Sequence, residues 1–152
     1  MYSYPRIQIL SASVARKAFQ RVGVTVAIVM VLAPGAGRAG DGGIYSEAQA
    51  ARGESLFQQH CAACHGARLE GNPAVALTGP SFRARWEDGN HTLDDLYYIV
   101  RTLMPNTAPG SLSRPQYADI VSYILKVNGY PAGESELVPK AAIMKAVVLQ
   151  PH

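Results

Sequence analysis

Both cysteines of the 152-residue chain lie in the pentapeptide CAACH, residues 61–65. Two thiols separated by two residues support three chemistries: a redox disulfide, half of a zinc site, or a pair of thioethers to a haem whose iron binds the adjacent imidazole. Each chemistry requires different residues elsewhere in the chain, so the surrounding sequence has to decide among them.

The sequence around this pentapeptide favours the third chemistry. A thioredoxin-like disulfide belongs to a βαβ pattern, but here the motif closes an amphipathic helix in a chain with little strand signal. Zinc usually takes two separated ligand pairs, and the other histidines form no second pair. Thiols three positions apart at a helix end point the same way, and the next imidazole can turn under the ring they tether. The pattern therefore predicts one covalent haem, with thioethers at Cys61 and Cys64 and His65 on the iron.

Met104 is the candidate ligand for the opposite side of the iron. It ends a predicted helix directly before Pro105, where a loop can be stiffened to hold a thioether. Met144 is expected to fill the core or pack in the tail instead. An iron with His and Met ligands is saturated and passes single electrons, which predicts an electron carrier and not an enzyme. The alternative is an open sixth position, with Met104 in the core, in a haem enzyme or ligand sensor.

Residues 1–39 have the pattern of a secretory signal peptide. Basic residues precede an apolar run over 22–33, and a stretch of small residues follows. The run is shorter than the roughly 20 residues that cross a bilayer, so we expect cleavage after Ala39, a periplasmic location and no stable membrane span in the mature chain.

The mature chain would carry nine basic and eleven acidic residues, a net charge of −2. Its basic residues are scattered, without a Lys/Arg run or interleaved aromatics. We therefore expect no nucleic-acid partner.

Three helices are predicted in the mature chain: from about 47 to the cysteines, over 93–103, and from Ser113 to a stop at 128–129. Each begins at a capping-box spacing: Ser46 with Gln49, Thr92 with Asp95, and Ser113 with Gln116. Residues 66–90 show no sustained period and are predicted to be an irregular loop that packs on a cofactor.

These elements place a domain at 40–133. Residues 134–152 form a C-terminal tail that is expected to pack on the body or on a partner.

These residues together resemble a class I c-type cytochrome. The matching pieces span about 47–131 and comprise GESLFQQHCAACHG, ALTGPSF, Trp86, LMPNTAPGSLS and YADIVSYILKVNGYPAG. The last two pieces are similar to the haem domains and small cytochrome partners of pyrroloquinoline-quinone alcohol dehydrogenases. The resemblance implies the all-α cytochrome c fold, with three main helices and irregular loops wrapped around one covalently bound haem.

The resemblance also implies supporting roles around the haem. The carbonyl of Pro80 would accept the second ring N–H of His65, which fixes the ring's tautomer and orientation. Trp86 would donate its indole N–H to a haem propionate, or else be an ordinary core aromatic. The first helix would cross the third closely at Gly53.

The implied function is that of a periplasmic carrier of single electrons from a (quinoprotein) dehydrogenase towards a terminal oxidase. Its partners would be redox proteins. A fixed cytochrome subunit of a larger oxidoreductase complex is the alternative that the sequence leaves open.

Overall fold

The described part of the chain is helical, as the sequence predicts. The computed structural model describes residues 42–151, in which the only β-structure consists of two isolated bridges, Ser46 with Gly133 and Thr92 with Val148. The predicted signal peptide lies outside the described residues. The helices are α1 Glu47–His60, α2 Ala62–His65, α3 Gly79–Trp86, α4 Leu93–Leu103, α5 Arg114–Val127 and α6 Ala141–Met144.

The three long helices, α1, α4 and α5, begin where the caps were predicted. The capping boxes at Thr92 of α4 and Ser113 of α5 are both complete. At α1 only half of the box forms, because Ser46 accepts the N–H of Gln49 at 3.1 Å while the Gln49 amide turns to the C-terminal tail. The local sequence pattern thus predicted the start of α1 correctly. The contact of Gln49 with the tail, however, replaces the second hydrogen bond of the capping box.

The backbones of α1 and α5 come into near contact at Gly53. A Cβ on Gly53 would lie 1.8 Å from the carbonyl oxygen of Asp119, so only glycine fits this crossing. One turn further along α1, the ring of Phe57 lies 5.5 Å from that of Tyr123. The predicted close crossing of the first and third long helices is confirmed.

The segment predicted to be one irregular loop over 66–90 contains α3. This helix has eight residues, begins at Gly79 and carries a proline in its first turn. Phe82 and Trp86, four residues apart, face the core at 1% and 5% exposure. The prediction of a loop is wrong here, because two apolar residues in one short helix are too few to establish a period.

The tail after 133 packs on the body along its length. Met144 and Leu149 are fully buried in the core. The backbone N–H of Leu149 donates to His91 at 3.2 Å, and Leu93 donates to Val147 at 2.8 Å. No helix within 42–151 combines the length and apolar character needed to cross a membrane.

The start of the tail is fastened to α1 by buried and charged contacts. The Gln49 amide donates to the Leu137 carbonyl at 3.1 Å and accepts the Leu137 N–H at 2.6 Å, with both bonds buried. Arg52 binds Asp119 of α5 through two nitrogens at 3.0 Å and reaches Glu136 at 2.9 Å. The helix that leads to the cysteines therefore also holds the tail.

We expect Gln49→Ala to destabilise the protein by about 2 kcal/mol, because it leaves both backbone groups of Leu137 buried without partners. Denaturant unfolding of the haem-loaded protein measures this loss. Gln59→Ala is the matched control, since Gln59 is exposed on the same helix and its loss should change stability by less than about 0.5 kcal/mol. Equal stabilities for the two variants would contradict the role of Gln49.

Candidate functional site

The two cysteines lie where α1 passes into α2. Cys61 caps α1 by donating its N–H to Phe57 at 2.8 Å, and its carbonyl accepts the N–H groups of Cys64 and His65 at 3.1 and 3.0 Å. The segment is therefore a single helical turn, which carries both thiols and the imidazole. Cys61 is half-buried, Cys64 is exposed, and the two thiols are not joined to each other.

Two features of the described residues differ from what the alternative chemistries of this motif usually have. Burial, reinforced by the neighbouring Cys64, raises the pKa of the Cys61 thiol to about 11, unlike the lowered values of redox-active cysteines. Among residues 42–151 no group of three or more His, Cys, Asp or Glu side chains is arranged to hold a metal ion. A redox disulfide and a zinc site thus both lack their usual surroundings.

His65 is held in a defined orientation by the loop that follows it. Its ring is buried at 7% exposure, and Nδ1 lies 2.8 Å from the carbonyl oxygen of Val75. Because a carbonyl only accepts, Nδ1 is the donor in this contact, and in the neutral imidazole the lone pair then lies on Nε2. That is the tautomer an iron ligand needs.

The prediction that Pro80 supplies this carbonyl is wrong, since Val75 supplies it. Pro80 is exposed and lies in the first turn of α3. A carbonyl at that position points along the helix axis towards the N–H four residues ahead, so it is committed to α3. The predicted acceptor lies five residues too late in the chain, because the prediction did not include α3.

The loop over 66–78 folds back on the cysteine turn and brings Val75 into place. Gly71 donates its N–H to the His65 carbonyl at 2.7 Å, and Ala74 donates to Cys64 at 2.9 Å. Gly71 has φ +85°, and a Cβ there would lie 2.8 Å from the backbone nitrogen of Ala76. The tight turn therefore requires glycine.

Four apolar residues belong to the core around this loop. Leu69 and Phe82 are buried at 0% and 1% exposure, and Leu77 and Ile99 are partly buried against the core. The side-chain amide of Asn128, at the end of α5, donates to the Leu77 carbonyl at 2.9 Å. The loop is thus tied to α5 as well as to the cysteine turn.

Trp86 ends α3 as a buried aromatic residue. Its ring makes an edge contact with His91, with centroids 5.3 Å apart, and the Arg85 guanidinium lies 5.1 Å from its centroid. These contacts suit a core aromatic near polar groups. The predicted hydrogen bond from Trp86 to a propionate stays a prediction.

Met104 caps the C-terminus of α4 in an extended conformation and is half-buried. Its N–H donates to Val100 at 3.2 Å, and its carbonyl accepts the hydroxyl of Tyr117 at 2.7 Å. Met144, the other methionine of the described region, is fully buried in the core, as predicted. No spacing pattern in the sequence indicates the hydroxyl contact of Tyr117, which depends on the path of the loop after α4.

The residues present fit a covalently attached haem. The cysteine turn offers two unjoined thiols beside an imidazole whose Nε2 is left for a metal, and Met104 offers a thioether at the end of a different helix. These are the donors of a c-type haem with His and Met ligands.

Comparison with known proteins identifies the family of the chain. The sequence profile of the family described as "Cytochrome C oxidase, cbb3-type, subunit III" matches residues 48–124, about half of the chain. No curated protein matches the sequence. A chain in the crystal structure of the sulfane dehydrogenase SoxCD from Paracoccus pantotrophus is similar, with 25% identity and a TM-score of 0.51.

That similarity covers 66% of this chain and 52% of the SoxCD chain, so this chain matches about half of the length of its structural relative. The family match contains the cysteine turn, α3, α4 and most of α5. The chain therefore belongs to this cytochrome family: it is a class I c-type cytochrome, an electron-transfer protein with the all-α cytochrome c fold and a covalently bound haem c.

Proposed function

We propose that this cytochrome is an exported, periplasmic carrier that accepts single electrons from a dehydrogenase and passes them towards a terminal oxidase. The observation that carries this proposal is the contact of His65 Nδ1 with the Val75 carbonyl at 2.8 Å. It orients the imidazole for a permanent bond to iron, with Met104 available for the other side. A metal with both axial positions filled exchanges electrons without binding a substrate.

Each residue of the site has a separate role in this proposal. Cys61 and Cys64 would hold the haem through thioethers, and Nε2 of His65 and the sulfur of Met104 would bind its iron. The bound haem would supply a one-electron redox centre.

The surrounding groups would adjust this centre. Val75 would increase the electron donation of the imidazole by accepting its N–H. The thioether of Met104 and the apolar side chains of Leu69 and Phe82 would favour the reduced iron.

We expect Met104→Ala to abolish the sulfur-to-iron charge-transfer band of the oxidised protein, because alanine offers no sixth ligand. The reduced variant should also bind carbon monoxide rapidly, which is measured by stopped-flow absorption. Met144→Ala is the matched control: it removes a methionine from the core, so it should lower stability by about 2–5 kcal/mol and leave the band in place.

An open sixth position in the unmodified protein would give the opposite result. The band would then be missing from the wild-type spectrum, and carbon monoxide would bind as quickly as in Met104→Ala. That outcome would replace the carrier with a haem enzyme or ligand sensor.

Export is proposed from the charge and apolar pattern of residues 1–39 and from the haem, since covalent c-type haem attachment takes place outside the cytoplasm. We expect the haem-bearing form in the periplasmic fraction, with Gly40 as its first residue by N-terminal sequencing. Replacing three apolar residues of the 22–33 run with aspartate is the control, and it should leave a haem-free precursor inside the cell. A haem-loaded cytoplasmic form would contradict the proposal.

A dehydrogenase is proposed as donor from two observations. The first is the sequence resemblance of the segments LMPNTAPGSLS and YADIVSYILKVNGYPAG, which suggests the haem domains and small cytochrome partners of quinoprotein alcohol dehydrogenases. The structural relative is named as a sulfane dehydrogenase, which also favours the second candidate, a fixed subunit of a dehydrogenase complex. The name of the matching family points instead towards an oxidase, which suits an acceptor of that class.

Native purification should separate a free carrier from a fixed subunit. For a free carrier we expect the chain, expressed at its natural level, to elute as a monomer at physiological salt. Recovery of the chain in constant ratio with one dehydrogenase or oxidase would instead identify a fixed subunit. The variant lacking both thiols, Cys61→Ala with Cys64→Ala, controls for binding that does not need the haem-loaded fold.

A further inference from the structure

Tyr117 lies one turn into α5 and is buried at 1% exposure. Its hydroxyl donates to the Met104 carbonyl at 2.7 Å and accepts the N–H of Leu112 at 3.3 Å. Met104 and Leu112 are the two ends of the segment MPNTAPGSL, so one buried hydroxyl bridges both ends of this nine-residue loop.

The rest of the loop is held mainly by its own short-range contacts. Ala108 donates to Pro105 at 2.8 Å, and Ser111 donates to Ala108 at 3.3 Å. Residues 106–111 are exposed. The Met104 carbonyl also accepts the N–H of Gly110, at 3.3 Å. The Tyr117 hydroxyl connects this surface loop to the interior of the protein, and its bond to Met104 is the shorter of the two that this carbonyl receives.

We propose that Tyr117 is a positioning residue for the axial ligand: it fixes the backbone of Met104, and thereby holds the thioether at the iron against competing ligands. This inference rests on the proposed role of Met104. A ligand on a closed loop is present at high effective concentration. Opening the loop lowers that concentration and weakens the bond of the methionine to iron relative to any ligand added from solution.

The test is a titration of the oxidised, haem-loaded protein with imidazole, followed by loss of the charge-transfer band. With Tyr117→Phe we expect imidazole to bind roughly 10-fold more tightly than to the wild type, a change of about 1.4 kcal/mol. The phenylalanine ring still fills the core, so the variant removes the hydroxyl alone.

Tyr97→Phe is the matched control. Tyr97 is also buried, at 6% exposure, and its hydroxyl donates to the carbonyl of Arg114 at 3.2 Å, beyond the end of the loop. The imidazole affinity of the Tyr97→Phe variant should lie within about twofold of the wild-type affinity, even if both variants lose similar global stability. Denaturant unfolding of both variants measures that stability separately from ligation.

The possible outcomes test the positioning role of Tyr117 and the ligand role of Met104 separately. Unchanged imidazole affinity in Tyr117→Phe, with the band present, would overturn the positioning role and leave Met104 as the ligand. A wild-type protein without the band would overturn the ligand assignment and this inference with it. Amide hydrogen exchange gives a check that needs no variant: a Leu112 amide that exchanges without protection in the wild type would show that the hydroxyl does not close the loop.

Discussion

The crossing of α1 over α5 at Gly53 is the constraint on which the rest of this cytochrome depends. The missing side chain lets the backbone of α1 approach the Asp119 carbonyl so closely that a Cβ would lie 1.8 Å from it. The C-terminal end of α1 leads into the cysteine turn, and the N-terminal turn of α5 carries Tyr117, which binds Met104. The separation and angle of these two helices therefore determine where the two chain segments that carry the proposed iron ligands start.

Both proposed ligands are then oriented through backbone carbonyls. On one side the ring of His65 contacts the Val75 carbonyl, and on the other the carbonyl of Met104 accepts the Tyr117 hydroxyl. Backbone groups embedded in hydrogen-bonded loops move less than exposed side chains, so both contacts favour fixed geometry. Fixed ligands suit a centre that exchanges electrons, because the second coordination shell then keeps its arrangement in both oxidation states.

The sequence predicted those features that depend on local patterns. CAACH, the capping boxes at Thr92 and Ser113, and the stop after α5 are each contained within a few residues, and the structure places the elements accordingly. Apart from the short helix α3, the features that were missed join separate segments of the chain. The Gln49 amide pairs with a backbone 88 residues away, which the spacing from Ser46 to Gln49 does not indicate.

The two remaining errors have the same physical origin. The identity of the carbonyl that meets His65 depends on how the loop over 66–78 folds, and any residue type can supply a carbonyl, so Val75 carries no signal of its own. The residue type of Tyr117 suits the apolar face of α5, but the contact of its hydroxyl depends on the path of a loop that begins 13 residues earlier. Residue type predicts which chemical groups are present, whereas the path of the backbone determines which of these groups come into contact.

The family match covers the haem-binding body of the protein but not the tail. The family match ends at residue 124, within α5, and the tail begins after it. Yet the tail is joined to α1 by the buried bonds of Gln49 and by Arg52, whose guanidinium also binds Asp119 beside the α1–α5 crossing. Burying polar groups is favourable only when their partners are in place, so the tail is part of what keeps α1 against α5. The contacts of the tail therefore support the same crossing from which the segments with the proposed haem ligands extend.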